Sequence, residues 1–434
     1  MREIRIRDTL TNELRTLEPG HEGSVGIYAC GPTTYGPIHI GNARAFVIPM
    51  LLRRFLAHEG CRPKLVINLT DVNDKIYLAA AERGVPSGEH AEEMIRGYVA
   101  DTDALGVGRP DHEPRATETI GPIVDLIEAL IERGHAYESG GDVYFRVRSF
   151  EGYGRLSNRD PDAMDQGEEA GAAELKEAPL DFALWKARKP AEDTFWASPW
   201  GDGRPGWHIE CSAMAETLLG PAFEIHGGGR DIVFPHHENE LAQSRARGHE
   251  FARIWMHNGM LRFTGEKMSK SVGNVETIQA AVDKWGKDTL LLFFMTAHWR
   301  KPIDYSDATL LSASSQWAGL QGAYRVPRVE PPAGEWMRLE KVLDDDFNTP
   351  DALRVLHGWR GRGYWSLVDR GLNLFGLNLP DMAGTGIEID RLLRERDDAR
   401  ADKRWADADR IRDEINRRGH DVIDDAEGSR AVPR

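Results

Sequence analysis

Two short segments of the 434-residue chain carry residues suited to handling a nucleoside triphosphate. The first, Pro37-Ile-His39-Ile-Gly41-Asn42, follows an apolar run and opens a helical pattern. An imidazole and a neighbouring amide at a helix start can donate hydrogen bonds to phosphate oxygens as charge develops at an α-phosphorus. Gly41 lets an adenine or ribose approach the backbone. The second, Lys267-Met-Ser269-Lys270-Ser271, stands between Thr264-Gly265-Glu266 and Gly273-Asn274, and its two lysines offer mobile positive charge. Each alone has a bland reading, a helix start with an incidental histidine or a solvated basic turn. Together, in this order, they point to ATP-dependent adenylation.

A third constellation has the donors of a zinc shell. Cys30 ends the first apolar run, Cys211 lies in Gly206-Trp-His-Ile-Glu-Cys211, and Phe234-Pro-His236-His237-Glu238-Asn239-Glu240 opens a helix. His236 and Glu240, four apart, project from one helical face. Two thiolates, an imidazole and a carboxylate suit tetrahedral zinc. A lone buried cysteine is usually a small apolar residue, but two of the three cysteines here stand beside these motifs. His208, His226 and His237 compete as ligands and spacing does not exclude them; His237, pointing off the His236 face, ranks lower.

The elements that position these residues follow from periodicity. Ser24–Cys30 and Lys64–Leu69 read as buried strands, with a helix over Ala43–His58 that Pro49 is expected to kink. This βαβ order predicts a parallel sheet, with ligands at the strand ends and the Cys30–Asn42 connection as a natural site. The polar, acidic start of Arg159–Pro190 reads as an exposed loop in an inserted region. Strand pattern resumes at Phe223–His226 and Ile254–His257, and from Asp307 the pattern is helical. Ile389–Arg418 is a charged helical stretch with Leu392, Leu393, Trp405, Ala408, Ile411 and Ile415 as its apolar stripe.

Composition excludes several classes. With 41% hydrophobic and 29% charged residues the chain is neither disordered nor membranous, and two or three domains are expected. There is no apolar run of about 18 residues and no secretory leader pattern, so a cytoplasmic address is expected. Three widely spaced cysteines argue for reduced thiols over a disulfide scaffold. A net charge of -15 argues against nonspecific nucleic-acid coating, although a local basic stripe is enough to contact phosphates.

Cys30-Gly-Pro-Thr-Thr-Tyr-Gly-Pro-Ile-His-Ile-Gly-Asn-Ala-Arg44, Trp207-His-Ile-Glu-Cys211, His226-Gly-Gly-Gly-Arg-Asp231, Phe234-Pro-His-His-Glu-Asn-Glu240 and Gly265-Glu-Lys-Met-Ser-Lys-Ser271 together resemble the cysteinyl-tRNA synthetases, a class I aminoacyl-tRNA synthetase family. The resemblance covers nearly the whole chain. It implies an α/β fold, a Rossmann-type catalytic domain with an insertion followed by an all-α C-terminal region. The expected division is 1–110 and 206–318 for the catalytic halves, 111–205 for the insertion, 319–385 for a helical bundle and 386–434 for a small tRNA-binding region. It also implies zinc held by Cys30, Cys211, His236 and Glu240, with the substrate cysteine adding its own thiolate. Thr70, Trp207 and His226 would line the amino-acid pocket. Gly228 within the glycine run and Asp231 would meet the adenosine of ATP, with Gly41, His39 and Lys270. His39, Asn42, Lys267 and Lys270 would stabilise the transition state, with magnesium accompanying ATP. The implied partners are ATP, L-cysteine and tRNA(Cys), with a monomeric enzyme and no membrane.

For tRNA, the resemblance offers Trp299 and Arg300 as contacts, and Arg410 and Arg412 in the C-terminal helices. By composition alone that last stretch reads as a salt-bridged, solvent-facing helix. The chain departs from the family in a short segment after Ala352-Leu353-Arg354, in Asn73 where a third acidic residue is usual, and in ending Gly428-Ser-Arg-Ala-Val-Pro-Arg434 without the customary Trp. Two other readings share these motifs: a ligase passing cysteine to a small-molecule amine, as in the mycothiol pathway, and a noncatalytic RNA-binding relative.

Overall fold

Val25, Ile27, Tyr28 and Ala29 are all buried, the near-continuous apolar run of a strand covered on both faces. This strand, β1 (Ser24–Ala29), lies inside a four-stranded parallel sheet with β2 (Arg62–Ile67), β3 (Ala222–Gly229) and β4 (Phe251–Asn258), in the order β4-β3-β1-β2. Ile27 stands opposite both Leu65 and Ile225, and Ile225 opposite Ile254, which fixes the register on an apolar row. The computed structural model describes residues 2–163, 174–263, 276–379, 386–425 and 428–433. The chain leaves β1 for β2 on one side and returns as β3 on the other. The carboxyl ends of β1 and β3 therefore diverge at a topological switch point, where such sheets bind ligands.

Helix α1 (Ile40–His58) follows β1 and buries Phe46, Val47, Met50, Leu51 and Phe55 against the sheet. It runs through Pro49 as one element. The β2-to-β3 crossover holds helices Asp74–Arg83, Ser87–Ala104 and Ile120–Glu132, then a four-stranded antiparallel sheet. Strand Phe182–Ala187 of that sheet comes from the stretch read as loop-like at its start, and its Phe182, Leu184 and Trp185 pack on Ile123, Leu126 and Phe145. Helices α2 (Trp207–Leu219) and α3 (Glu238–Arg247) flank β3 in sequence.

Four helices, Asp307–Gln321, Met337–Asp344, Thr349–Gly361 and Trp365–Leu374, share the main core with α1. The charged C-terminal stretch is two helices, Gly386–Ala401 and Trp405–Arg417, joined where Lys403 takes a φ of 61°. Leu392, Ile411 and Ile415 are buried as the stripe predicts, with Ala408. Trp405 is not: it is 59% exposed at the start of its helix. A hairpin, His420–Asp425 with Gly428–Pro433, closes the region and was not part of the all-α expectation. Among the described residues no helix is long and apolar enough to cross a membrane.

Candidate active site and metal centre

The switch point opens on a cavity of about 410 Å³ whose lining includes Cys30 and Gly31 after β1, Gly229 and Asp231 after β3, and His39, Gly41 and Asn42 at the start of α1. His39 is the N-cap: its Nδ1 accepts the Gly41 N–H at 3.1 Å, and Asn42 Oδ1 accepts the His39 N–H at 3.2 Å. Such reciprocal capping satisfies two otherwise orphaned donors. Burial holds the His39 imidazole below its ordinary pKa, which favours the neutral ring. With Nδ1 accepting, the neutral ring carries its proton on Nε2, a donor at the positive end of a helix.

Lys267 and Lys270 lie outside the described residues. The chain on either side of their segment borders the same cavity: Phe263 lines it, and the Glu276 carbonyl accepts the Ile40 N–H at 3.1 Å. Arg44, buried one turn into α1, donates to the carbonyls of Gly259 at 2.8 Å, Lys301 at 2.6 Å and His298 at 2.9 Å. This fastens the Gly259 segment, which lines the cavity, and the His298–Lys301 segment to α1. Spacing gave no sign of that role.

Cys30 also borders a dense polar cluster between β1, α2 and α3. Its Sγ lies 3.8 Å from Cys211 Sγ, 3.5 Å from His236 Nε2 and 3.5 Å from Glu240 Oε1, and His236 Nε2 is 3.1 Å from Glu240 Oε1. Tetrahedral ligands at zinc bond lengths of about 2.0–2.3 Å stand about 3.3–3.8 Å apart. The four donors therefore fit a single ion with little adjustment. Burial pushes the Cys211 thiol up, but its hydrogen bond with Cys30 and its contact with His236 outweigh this and bring it down to about 6. One thiolate is thus favoured at neutral pH, as a metal ligand requires. His236 Nδ1 is 2.9 Å from His208 Nδ1, the kind of outer contact that orients a ligating imidazole.

His226 and His237 enter the same cluster, and with Cys30 and Glu240 they form a second group of donors within 4.8 Å of one another. His237 does not point away as a simple helical face would have it. The segment before α3 is not regularly helical, since Phe234 is extended at φ -132° and ψ 133°, and His237 Nε2 lies 3.3 Å from Cys30 Sγ. Its Nδ1 meets His257 Nε2 at 2.7 Å, and His257 meets Thr9 at 2.8 Å. Gly228 is required beneath this ring, because a Cβ there would come within 2.6 Å of it.

Of the three residues expected at the amino-acid pocket, Trp207 stacks on the His236 ring at 4.3 Å, closing that side of the cluster. Thr70 is buried, with its Oγ1 accepting from Asn68 at 3.3 Å. His226 is buried behind Glu240, and none of the three lines the 410 Å³ cavity. Trp299 and Arg300, expected as tRNA contacts, have other partners. Trp299 is fully buried and donates its indole N–H to the Asp346 carbonyl at 2.7 Å, and Arg300 pairs with the Asp346 carboxylate at 2.6 Å. Arg410 and Arg412 are exposed, each beside an aspartate three residues earlier.

A family profile described as "tRNA synthetases class I (C) catalytic domain" matches residues 16–315, and one described as "Cysteinyl-tRNA ligase anticodon binding domain" matches residues 383–430. The fold is similar to that of a Mycobacterium tuberculosis methionyl-tRNA synthetase solved with methionyl-adenylate, with a TM-score of 0.59 at 16% identity over 81% of this chain and 87% of that one. Fold and catalytic-domain match define a class I aminoacyl-tRNA synthetase. Curated relatives named cysteine–tRNA ligase from Geobacillus thermodenitrificans and Alkalilimnicola ehrlichii are 41% and 42% identical, covering 99% and 98% of this chain and 99% of each relative. The chain belongs to the cysteine–tRNA ligase family.

Proposed function

We propose that this enzyme activates L-cysteine with ATP and transfers it from the adenylate to the 3′ end of tRNA(Cys). The observation that carries the reading is the meeting, at Cys30, of a four-donor metal cluster with a cavity capped by the His39 helix start. In this reading Cys30, Cys211, His236 and Glu240 hold one zinc ion. When bound, zinc supplies a soft, Lewis-acidic partner for the substrate thiolate that the hydroxyl of serine cannot replace. Rejection of serine then needs no editing site.

The remaining work falls to this chain's residues. Trp207 and Thr70 confine the small side chain so that the cysteine carboxylate faces the first cavity. Asp231 receives the ribose hydroxyls of ATP, Gly41 borders the nucleoside, and Gly228 makes room for the His237 ring behind it. The carboxylate attacks the α-phosphorus and pyrophosphate leaves with its magnesium. His39 Nε2–H, Asn42, Lys267 and Lys270 neutralise the charge that develops, so catalysis is positioning and electrostatics without a covalent enzyme intermediate. The terminal ribose hydroxyl of tRNA then attacks the adenylate carbonyl and AMP departs. We assign residues 1–110 and 206–318 to this catalysis, 111–205 to the insertion, and 319–385 and 386–434 to the helical and tRNA-binding parts. Three free cysteines suit a reducing cytoplasm, and a monomer suffices because one chain supplies every residue named.

The test is ATP–pyrophosphate exchange with single amino acids. Exchange should require cysteine and stay at background with serine; equal exchange with both would refute the thiol-based selection.

A further inference from the structure

The short stretch Gly358-Trp-Arg-Gly-Arg-Gly-Tyr-Trp365 lies where the chain departs from its family, and none of its residues lines the His39 cavity. It makes the turn between the helices Thr349–Gly361 and Trp365–Leu374. Gly363 takes a φ of 77° there, and a Cβ on it would fall 2.1 Å from the Pro327 carbonyl oxygen, so the position requires glycine. The Gly363 carbonyl accepts the Val329 N–H at 2.9 Å. The turn thereby draws residues 326–329 against the start of the Trp365 helix.

The guanidinium of Arg430, from the C-terminal hairpin, meets both sides of this junction. Its Cζ stands 3.8 Å from the centre of the Trp365 ring, and its Nη2 donates to the Val326 carbonyl at 3.2 Å. A planar guanidinium can stack on an aromatic face and donate in its own plane at the same time, which an ammonium cannot. Arg430 is itself anchored in the C-terminal part. Ala431 beside it belongs to an apolar core with Ile389, Leu392, Ile411 and Ile415, to which the bundle contributes no described residue. On its other side, the Ser429 N–H donates to the Asp397 carboxylate at 3.1 Å. The two parts have separate cores, and Arg430 reaches from one to the other.

We propose that Arg430 and Trp365 form a clasp that sets the C-terminal tRNA-binding part on the helical bundle before tRNA arrives. The proposal rests on the charging reading above and deepens it. A tRNA gripped at two distant points binds more tightly when the distance between them is preset, because less ordering remains to be done on binding. The hairpin lacks the customary Trp, and the aromatic surface of this junction comes from the bundle. Both are positioning residues and take no part in adenylation.

The test uses Arg430→Gln, Trp365→Leu, their double variant and Trp365→Phe. Cysteine-dependent ATP–pyrophosphate exchange should stay within about twofold in all four, because neither side chain lines the cavity. The KM for tRNA(Cys) should rise about three- to tenfold in each of the first two with kcat little changed, the scale of a desolvated cation–π contact and its hydrogen bond. The double variant should be no worse than either single one, since both remove the same contact. Trp365→Phe keeps a ring beneath the guanidinium and should stay near the wild type. Small-angle scattering of the free chain should give a larger radius of gyration for Arg430→Gln and Trp365→Leu than for the wild type. A KM that rises in Arg430→Gln but not in Trp365→Leu would make Arg430 an RNA contact and overturn the clasp. Effects that multiply in the double variant overturn it too, as does an unchanged KM and radius in both single variants. If Trp365→Leu fails to fold, Arg430→Gln decides alone through the radius, which loss of a direct RNA contact would not move. A wild-type chain that charges no tRNA would fell the charging reading, whereas normal wild-type charging beside unmoved variants fells this proposal alone.

Discussion

Nε2 of His226 lies 2.8 Å from Oε2 of Glu240, and both side chains are fully shielded from solvent. The other carboxylate oxygen, Oε1, faces His236 at 3.1 Å and Cys30 at 3.5 Å. One oxygen is held from behind while the other is presented to the candidate metal centre. His226→Ala should therefore weaken zinc binding by about 10–100-fold, the usual cost of losing an outer partner of a ligand. Competition with a chromogenic chelator measures this, and an unchanged affinity would remove His226 from the metal's support.

Zinc itself should be required for substrate selection. Dialysis against a strong chelator should remove about one zinc per chain and abolish cysteine-dependent exchange, with zinc restoring both. Cys211→Ser should abolish exchange and leave little bound zinc, since a hydroxyl is a poor substitute for the thiolate. Full zinc occupancy in that variant would contradict the proposed ligand set and turn attention to the overlapping group that includes His226 and His237.

His39→Ala removes a donor proposed to act on the α-phosphate in the transition state. The exchange rate should fall by about 10²–10³-fold, with the KM for cysteine nearly unchanged. Because His39 also caps α1, some loss of stability, about 0.5–2 kcal/mol, should appear in a denaturant titration. A rate loss explained entirely by unfolded protein would refute the catalytic role.

How much of this was legible beforehand depended on whether a side chain's role was local. His236 and Glu240 are set four apart by helix geometry, so their meeting could be read from spacing. His237 could not, because the chain before α3 breaks at an extended Phe234, so helical spacing does not apply there. Trp299 and Trp405 were misjudged in opposite directions. Trp299 is sealed by Asp346, 47 residues later, whereas Trp405 heads a 13-residue helix whose inner stripe begins only at Ala408. The hairpin at the C-terminus carries charged and small residues in place of an alternating apolar pattern, so it left no periodic signal.

Trp299 supplies a further check. Trp299→Phe keeps most of the buried ring but leaves the Asp346 carbonyl without its indole donor. Stability should drop by about 1–3 kcal/mol, the cost of an unsatisfied buried acceptor. The KM for tRNA should stay at the wild-type value. A selective rise in that KM with stability intact would return Trp299 to the RNA surface.

The central claim joins the metal cluster, the His39 cavity and the acceptor in one activity, and aminoacylation measures all three together. Purified chain, ATP, magnesium, radiolabelled cysteine and tRNA(Cys) should yield acid-precipitable, cysteine-labelled tRNA, with serine giving background and omission of ATP giving none. Cysteine-dependent pyrophosphate exchange without any labelling of the tRNA would contradict the account and place the acceptor among small-molecule amines.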